Sequence, residues 1–144
     1  MKNKKKYKIG YTSGVYDLFH IGHLNLLKRA KKMCDYLIVS VSTDELVMEY
    51  KNKKPVINFN NRLAIIASIK YVDLAVPQLN RNKIEAYHKY KFDAIFVGSD
   101  WKGSKLWNNL EKDLNKYNSE VVYFNYTKGT STTEVKKLIQ NMKN

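Results

Sequence analysis

Cysteine is almost missing from this chain. Cys34 is the only one, so there can be no intrachain disulfide and no cysteine-rich zinc site. No run of about eighteen apolar residues occurs, so nothing reads as a membrane span. The basic start, Met1-Lys2-Asn3-Lys4-Lys5-Lys6, looks like the head of a signal peptide, but Lys8, Gly10 and Thr12 interrupt the apolar stretch such a peptide needs. A cytoplasmic protein with a flexible basic tail over residues 1–6 is expected. Acidic residues are scarce as well, 13 against 26 Lys+Arg, giving a formal charge of +13 with no acidic cluster to fix a metal. Such an excess implies an anionic partner, whether nucleotide, sugar phosphate, nucleic acid or membrane surface. His88 has no spacing relative to the other two histidines that would complete a zinc site. Internal repeats and low-complexity segments are also lacking, and 144 residues suit one domain, 1–144.

What is present is an alternation of apolar runs and amphipathic runs. Tyr7 to Thr12 has the length of a short strand, and Ile21, Leu24, Leu27, Ala30 and Met33 recur at helical spacing. Cys34 follows as a partly buried, inert thiol at the helix end. Tyr36–Ser42, rich in β-branched residues, reads as a central strand buried on both faces. From Thr43 to Asn58 the lysines, the proline and the acidic pair leave no clean period, which predicts a partly helical, mobile connection. A helix capped by Asn60 or Asn61 then runs to about Tyr71. Asp73 to Pro77 is a strand closed by its proline. A helix over Ile84–Tyr90, a strand over Phe92–Val97, a helix over Leu106–Tyr117, a strand over Glu120–Phe124 and a helix over Ser131–Met142 complete the chain. Five strands alternating with helices predict a single doubly wound, Rossmann-like α/β domain with a parallel sheet, which binds ligands outside the strand carboxyl ends.

The polar residues with chemistry to offer fall at that edge. His20 and His23 lie three apart at a helix start, so they project to one side. The unpaired N–H groups of that turn favour a phosphate, and Gly22 lets a ligand approach the backbone. The plainer use of one histidine is to cap the turn. Asp17 can accept backbone N–H bonds, and Lys51, Lys53 and Lys54 form either a solvated charge run or a cationic loop for an acidic substrate. Gly98-Ser99-Asp100-Trp101 ends a strand, with Asp100 suited to ribose hydroxyls and Trp101 to packing. Ser131-Thr132-Thr133-Glu134 is a capping box whose helix start is a second phosphate site.

These motifs carry a resemblance. His20-Ile21-Gly22-His23, after Gly14-Val15-Tyr16-Asp17, resembles the H-x-G-H signature and upstream G-x-F-D element of the cytidylyltransferase family of nucleotidyltransferases. Lys51-Asn52-Lys53-Lys54 is similar to that family's lysine segment, Gly98-Ser99-Asp100-Trp101 to its G-x-D-W turn, and Thr127 to Thr133 to its terminal R-T-E-G-I-S-T-T element. In order and extent the motifs most resemble the bacterial glycerol-3-phosphate cytidylyltransferases. The resemblance implies transfer of CMP from CTP to a small phosphorylated alcohol, sn-glycerol 3-phosphate foremost, in cell-surface polymer or capsule synthesis. It implies catalytic roles for His20, His23 and Lys53, and nucleotide contacts from Val15, Tyr16, Gly22, Asp100, Lys128, Gly129, Thr130, Ser131, Thr132 and Thr133. On the acceptor side it implies Lys51, Asp17 and Lys83. Mg²⁺ accompanying CTP and a homodimer are expected on the same ground, with no nucleic-acid partner. Tyr126, Lys128 and Lys70 depart from the family's arginine, glutamate and arginine. Other phospho-acceptors (phosphoethanolamine, phosphocholine, another polyol phosphate) and adenylyl transfer are alternatives within the class, and a basic nucleic-acid-binding module is the alternative outside it.

Overall fold

A computed structural model describes residues 5–125 and 132–142, the side chains of residues 132–134 excepted. Strands β1 (Tyr7–Gly14), β2 (Cys34–Ser42), β3 (Leu74–Gln78), β4 (Ala94–Gly98) and β5 (Glu120–Phe124) form one parallel sheet in the order β3-β2-β1-β4-β5. The order reverses between β1 and β4, so the crevice at their carboxyl ends is where such a sheet takes a ligand. Helices α1 (Ile21–Met33), α2 (Asp44–Lys51), α3 (Phe59–Ala67), α4 (Lys83–Tyr90), α5 (Lys105–Asn115) and α6 (Thr132–Met142) connect and follow the strands, with a single 3₁₀ turn at Ser99–Trp101.

Strand alternation divides the core in two. Leu37, Val39 and Val41 of β2 and Phe96 of β4 pack with Leu27 and Ala30 of α1 and Ile66 of α3. Ile38 and Ile95 point the opposite way and pack with Trp107 and Leu114 of α5 and with the flank of α4. The doubly wound layering expected from the sequence is therefore present, with its helices on both faces.

Several local expectations are refined or corrected. Thr43–Asn58 is partly helical, as expected: Thr43 caps α2 by accepting the Leu46 N–H at 3.1 Å, and Asn52 ends it in the left-handed region at φ 56°. An eight-residue helix burying only the adjacent pair Leu46 and Val47 has no period to read. The cap of α3 is Asn58, which accepts from the Asn61 N–H at 3.0 Å, and the helix ends at Ala67. Pro77 lies inside β3 rather than closing it, tolerated because β3 is an edge strand that pairs only with β2. Cys34 is fully buried as the first residue of β2, and burial raises its thiol to about 11.

Gly10 marks the tightest point of the sheet. A Cβ there would lie 2.6 Å from both Cys34 Sγ and the Phe96 ring. Gly10→Ala is expected to destabilise the fold by about 1–3 kcal/mol through overpacking, read as a lower urea midpoint at unchanged slope. Combined with Cys34→Ala, which removes the obstructing sulfur, it should cost less than the sum of the two single changes. Additive costs would contradict that contact as the cause.

Candidate active site

The site starts from a backbone turn that its own residues disfavour. Between β1 and α1, Tyr16 and Leu18 adopt φ of 55° and 51°, a region costing non-glycine residues about 1–3 kcal/mol each. The surroundings hold them there. Tyr16 is buried, and Asp17, 4% exposed, accepts the N–H groups of Val56 at 2.7 Å and Ile57 at 2.9 Å. Arg62, fully buried on α3, donates to the carbonyls of Val15 and Ser42 at 2.7 Å, to the Ile57 carbonyl at 2.8 Å and to the Asp44 carboxylate at 2.6 Å. The ends of β1 and β2, the start of α2 and the segment before α3 thus meet at one guanidinium.

On this turn the two histidines interlock. Nδ1 of His20 accepts the Gly22 N–H at 3.1 Å and also that of His23, while Nδ1 of His23 accepts the His20 N–H at 3.2 Å. The rings stack at 3.8 Å between centroids. The expected helix-start phosphate grip is corrected here, since the N–H groups of Gly22 and His23 are taken by an imidazole. With Nδ1 accepting, a neutral imidazole carries its proton on Nε2, so capping fixes the tautomer. Burial, then the neighbouring His20, lower the pKa of His23 to about 4 against the opposing pull of Asp17. His23 is accordingly a neutral N–H donor at neutral pH.

Two clefts open beside the turn, and Val15 and Lys51 line both. The smaller, about 240 Å³, brings His23, Lys51, Lys53, Lys54 and Lys136 around Tyr16 and Asp17. Its one carboxylate is already engaged by backbone, and Lys136 approaches it only to 3.9 Å. Burial lowers the pKa of Lys51, and Lys53 and Lys136 lower it further by repulsion. A cleft so charged is suited to a polyanion. The larger cleft, about 920 Å³, holds Lys83, whose ammonium donates to Ser13 Oγ at 2.7 Å and whose pKa burial lowers to about 8. Trp101 and Trp107 line its other side.

Other expected residues are placed differently. His20 lines neither cleft, its Nε2 being buried. Asp100 is exposed and lines neither, as does Lys70, which sits over the Tyr71 ring. Trp101 is 43% exposed on the cleft wall, not a packing anchor. Tyr126, Lys128, Gly129, Thr130 and Ser131 lie outside the described residues, and Thr132 and Thr133 are described only as the backbone start of α6. Three contributors escaped the sequence reading: Arg62, Arg81 and Lys136. For Arg62 a signal existed, because it stands four residues before Ile66 on the buried face of α3.

Two outcomes follow. Arg62→Leu strands Asp44 and several carbonyls, and should cost about 3–5 kcal/mol in denaturation. Because the folded state holds His23 neutral down to about 4 while the unfolded chain protonates near 6.5, the unfolded state binds more protons in between. Stability should therefore rise with pH between about 4 and 6.5, and His23→Gln should flatten the melting temperature across that window.

Comparison with known proteins agrees with this geometry. The family model described as cytidylyltransferase-like matches residues 11–138. A glycerol-3-phosphate cytidylyltransferase of Staphylococcus aureus (strain NCTC 8325 / PS 47) is 41% identical over 127 residues, 88% of this chain and 90% of that protein. The enzyme of the same name from Bacillus subtilis (strain 168) is 38% identical over 132 residues, 91% of this chain and 96% of that one. The crystal structure of a lipopolysaccharide core biosynthesis protein from Thermoplasma volcanium GSS1 superposes with a TM-score of 0.69 at 30% identity, covering 84% of this chain and 97% of that one. With an interlocked histidine pair at the β1 turn, a lysine-lined cleft beside it and these matches over most of its length, the chain belongs to the cytidylyltransferase-like family.

Proposed function

We propose that the protein transfers CMP from CTP to a small phosphorylated alcohol, sn-glycerol 3-phosphate foremost, giving CDP-glycerol and pyrophosphate. The observation that carries this reading is the cationic cleft around His23, beside a second cleft that shares Val15 and Lys51 as lining and holds the desolvated Lys83. Curated relatives bearing the name glycerol-3-phosphate cytidylyltransferase support the choice of substrates.

Both reactants are anions, and the chain's task is to align them and offset their charge. CTP lies with its triphosphate in the smaller cleft, where the neutral His23 donates from Nε2 and Lys53, Lys54 and Lys136 balance the β- and γ-phosphates. The acceptor enters the larger cleft with its phosphate between Lys51 and Lys83. An oxygen of that phosphate attacks the α-phosphorus in line. The new P–O bond forms as the bond to the bridging oxygen breaks, and pyrophosphate leaves with that oxygen and its electron pair. No residue is covalently modified.

Among the described residues no group of three or more His, Cys, Asp and Glu is placed to hold a metal. Asp17, the carboxylate in the smaller cleft, has both oxygens on backbone N–H groups. These residues do not form a site for Mg²⁺, which would instead enter bound to CTP. Among the described residues no helix is long and apolar enough to cross a membrane. Activity as a cytoplasmic homodimer, supplying an activated alcohol phosphate for a cell-surface polymer or capsule, completes the proposal.

Pyrophosphate release should require CTP and a phospho-alcohol together when four nucleoside triphosphates are assayed against an acceptor panel. Silence with every pair, with steeply salt-dependent binding to polynucleotide, would make the protein a nucleic-acid-binding module instead. His23→Ala should lower kcat by at least about 100-fold in a variant that still melts cooperatively; a wild-type rate would refute the assignment. Because Lys83 loses its proton near pH 8, the KM for acceptor should climb above that pH, and Lys83→Met should raise it at pH 7 and flatten the profile.

A further inference from the structure

The turn between β3 and α4 carries a cation that the transfer chemistry above leaves unused. Arg81 is exposed on the wall of the larger cleft, two residues before Lys83, with its guanidinium carbon 4.4 Å from the centre of the Tyr50 ring. Tyr50 comes from α2, next to Lys51, and lines the same cleft. Among the described residues no carboxylate pairs with Arg81. Its charge lowers the pKa of both Lys51 and Lys83, so Arg81 lies within electrostatic reach of each. Asp113 also lines this cleft, with its carboxylate 3.7 Å from Lys116.

A guanidinium lying over an aromatic face is held by that face and keeps its in-plane N–H fork for a partner. That fork matches two oxygens of one phosphate, as an ammonium cannot. Lys51, Arg81 and Lys83, lining one cleft, attract a phosphate dianion and oppose any positive charge on the rest of the same molecule. We propose that Arg81, steadied over the Tyr50 ring, selects the acceptor: it grips the acceptor phosphate and excludes phospho-alcohols that carry a cationic tail. The inference rests on the transferase reading and narrows its substrate class to uncharged polyol phosphates, setting phosphocholine and phosphoethanolamine aside.

The experiment compares kcat/KM for sn-glycerol 3-phosphate and for phosphocholine in wild type, Arg81→Ala and Arg81→Lys, with KM for CTP measured alongside. Arg81→Ala should lower kcat/KM for glycerol 3-phosphate by about 10- to 100-fold, leave KM for CTP within about two-fold, and narrow the preference over phosphocholine by at least ten-fold. Arg81→Lys should restore the discrimination against phosphocholine but not the full affinity for glycerol 3-phosphate. Equal losses on both acceptors, a raised KM for CTP, or no change at all would each overturn the role of Arg81. A wild-type protein silent with every acceptor would instead overturn the transferase reading, and this inference with it.

Discussion

A guanidinium removed from water must give nearly all its N–H groups to fixed acceptors, because each one left unpaired is costly. Arg62, with no exposed side-chain surface, finds three carbonyls and a carboxylate on separate parts of the chain. Asp17 answers it from the other side. The carboxylate takes the N–H groups of Val56 and Ile57 while Arg62 takes the Ile57 carbonyl, so the chain entering α3 is gripped on both its donor and acceptor edges. The lysine segment between α2 and that point is consequently tethered at both ends, since Asp44 at the start of α2 is itself bound to Arg62 and to the Phe59 N–H. That is how the exposed Lys51, Lys53 and Lys54 come to stand beside His23.

The same clamp accounts for the strained turn. Left-handed backbone at Tyr16 and Leu18 persists because the Val15 carbonyl, the Asp17 carboxylate and the Tyr16 ring each have a buried partner or position. Electrostatically the result is a surface of positive charge left with little to neutralise it. His23 stays neutral, whereas the charge comes from ammonium groups that repel one another. A polyanion placed among these ammonium groups would relieve that repulsion.

Much of this was legible from the residues. Apolar runs such as Tyr36–Ser42 located the central strands, and the spacing of Ile21, Leu24, Leu27, Ala30 and Met33 located α1, because burial on a period leaves a trace in composition. Helix α2 left none, having one buried pair in eight residues, and Pro77 misled because strand position in the sheet, not local sequence, decides whether proline fits. At the site, the pairing of His20 and His23 was visible, but not that each would cap the other's backbone: that depends on the extended conformation of His20. Arg62 left a trace in its place on the apolar face of α3, four residues before Ile66, but its acceptors are distant in sequence and only the fold brings them to it. Arg81 and Lys136 likewise reach the clefts only through the folded arrangement of β3, α4 and α6.

The account hangs on the histidine edges: Nδ1 bound to backbone, Nε2 bearing the proton, and His23 presenting that proton to the triphosphate. Side-chain ¹⁵N NMR of the imidazoles, recorded without and with CTP, addresses this directly. The account predicts Nε2–H tautomers for His20 and His23 at pH 7 and a marked shift of the His23 Nε2–H resonance on adding CTP. An Nδ1–H tautomer at His23, or a resonance that CTP leaves unmoved at saturation, would contradict it.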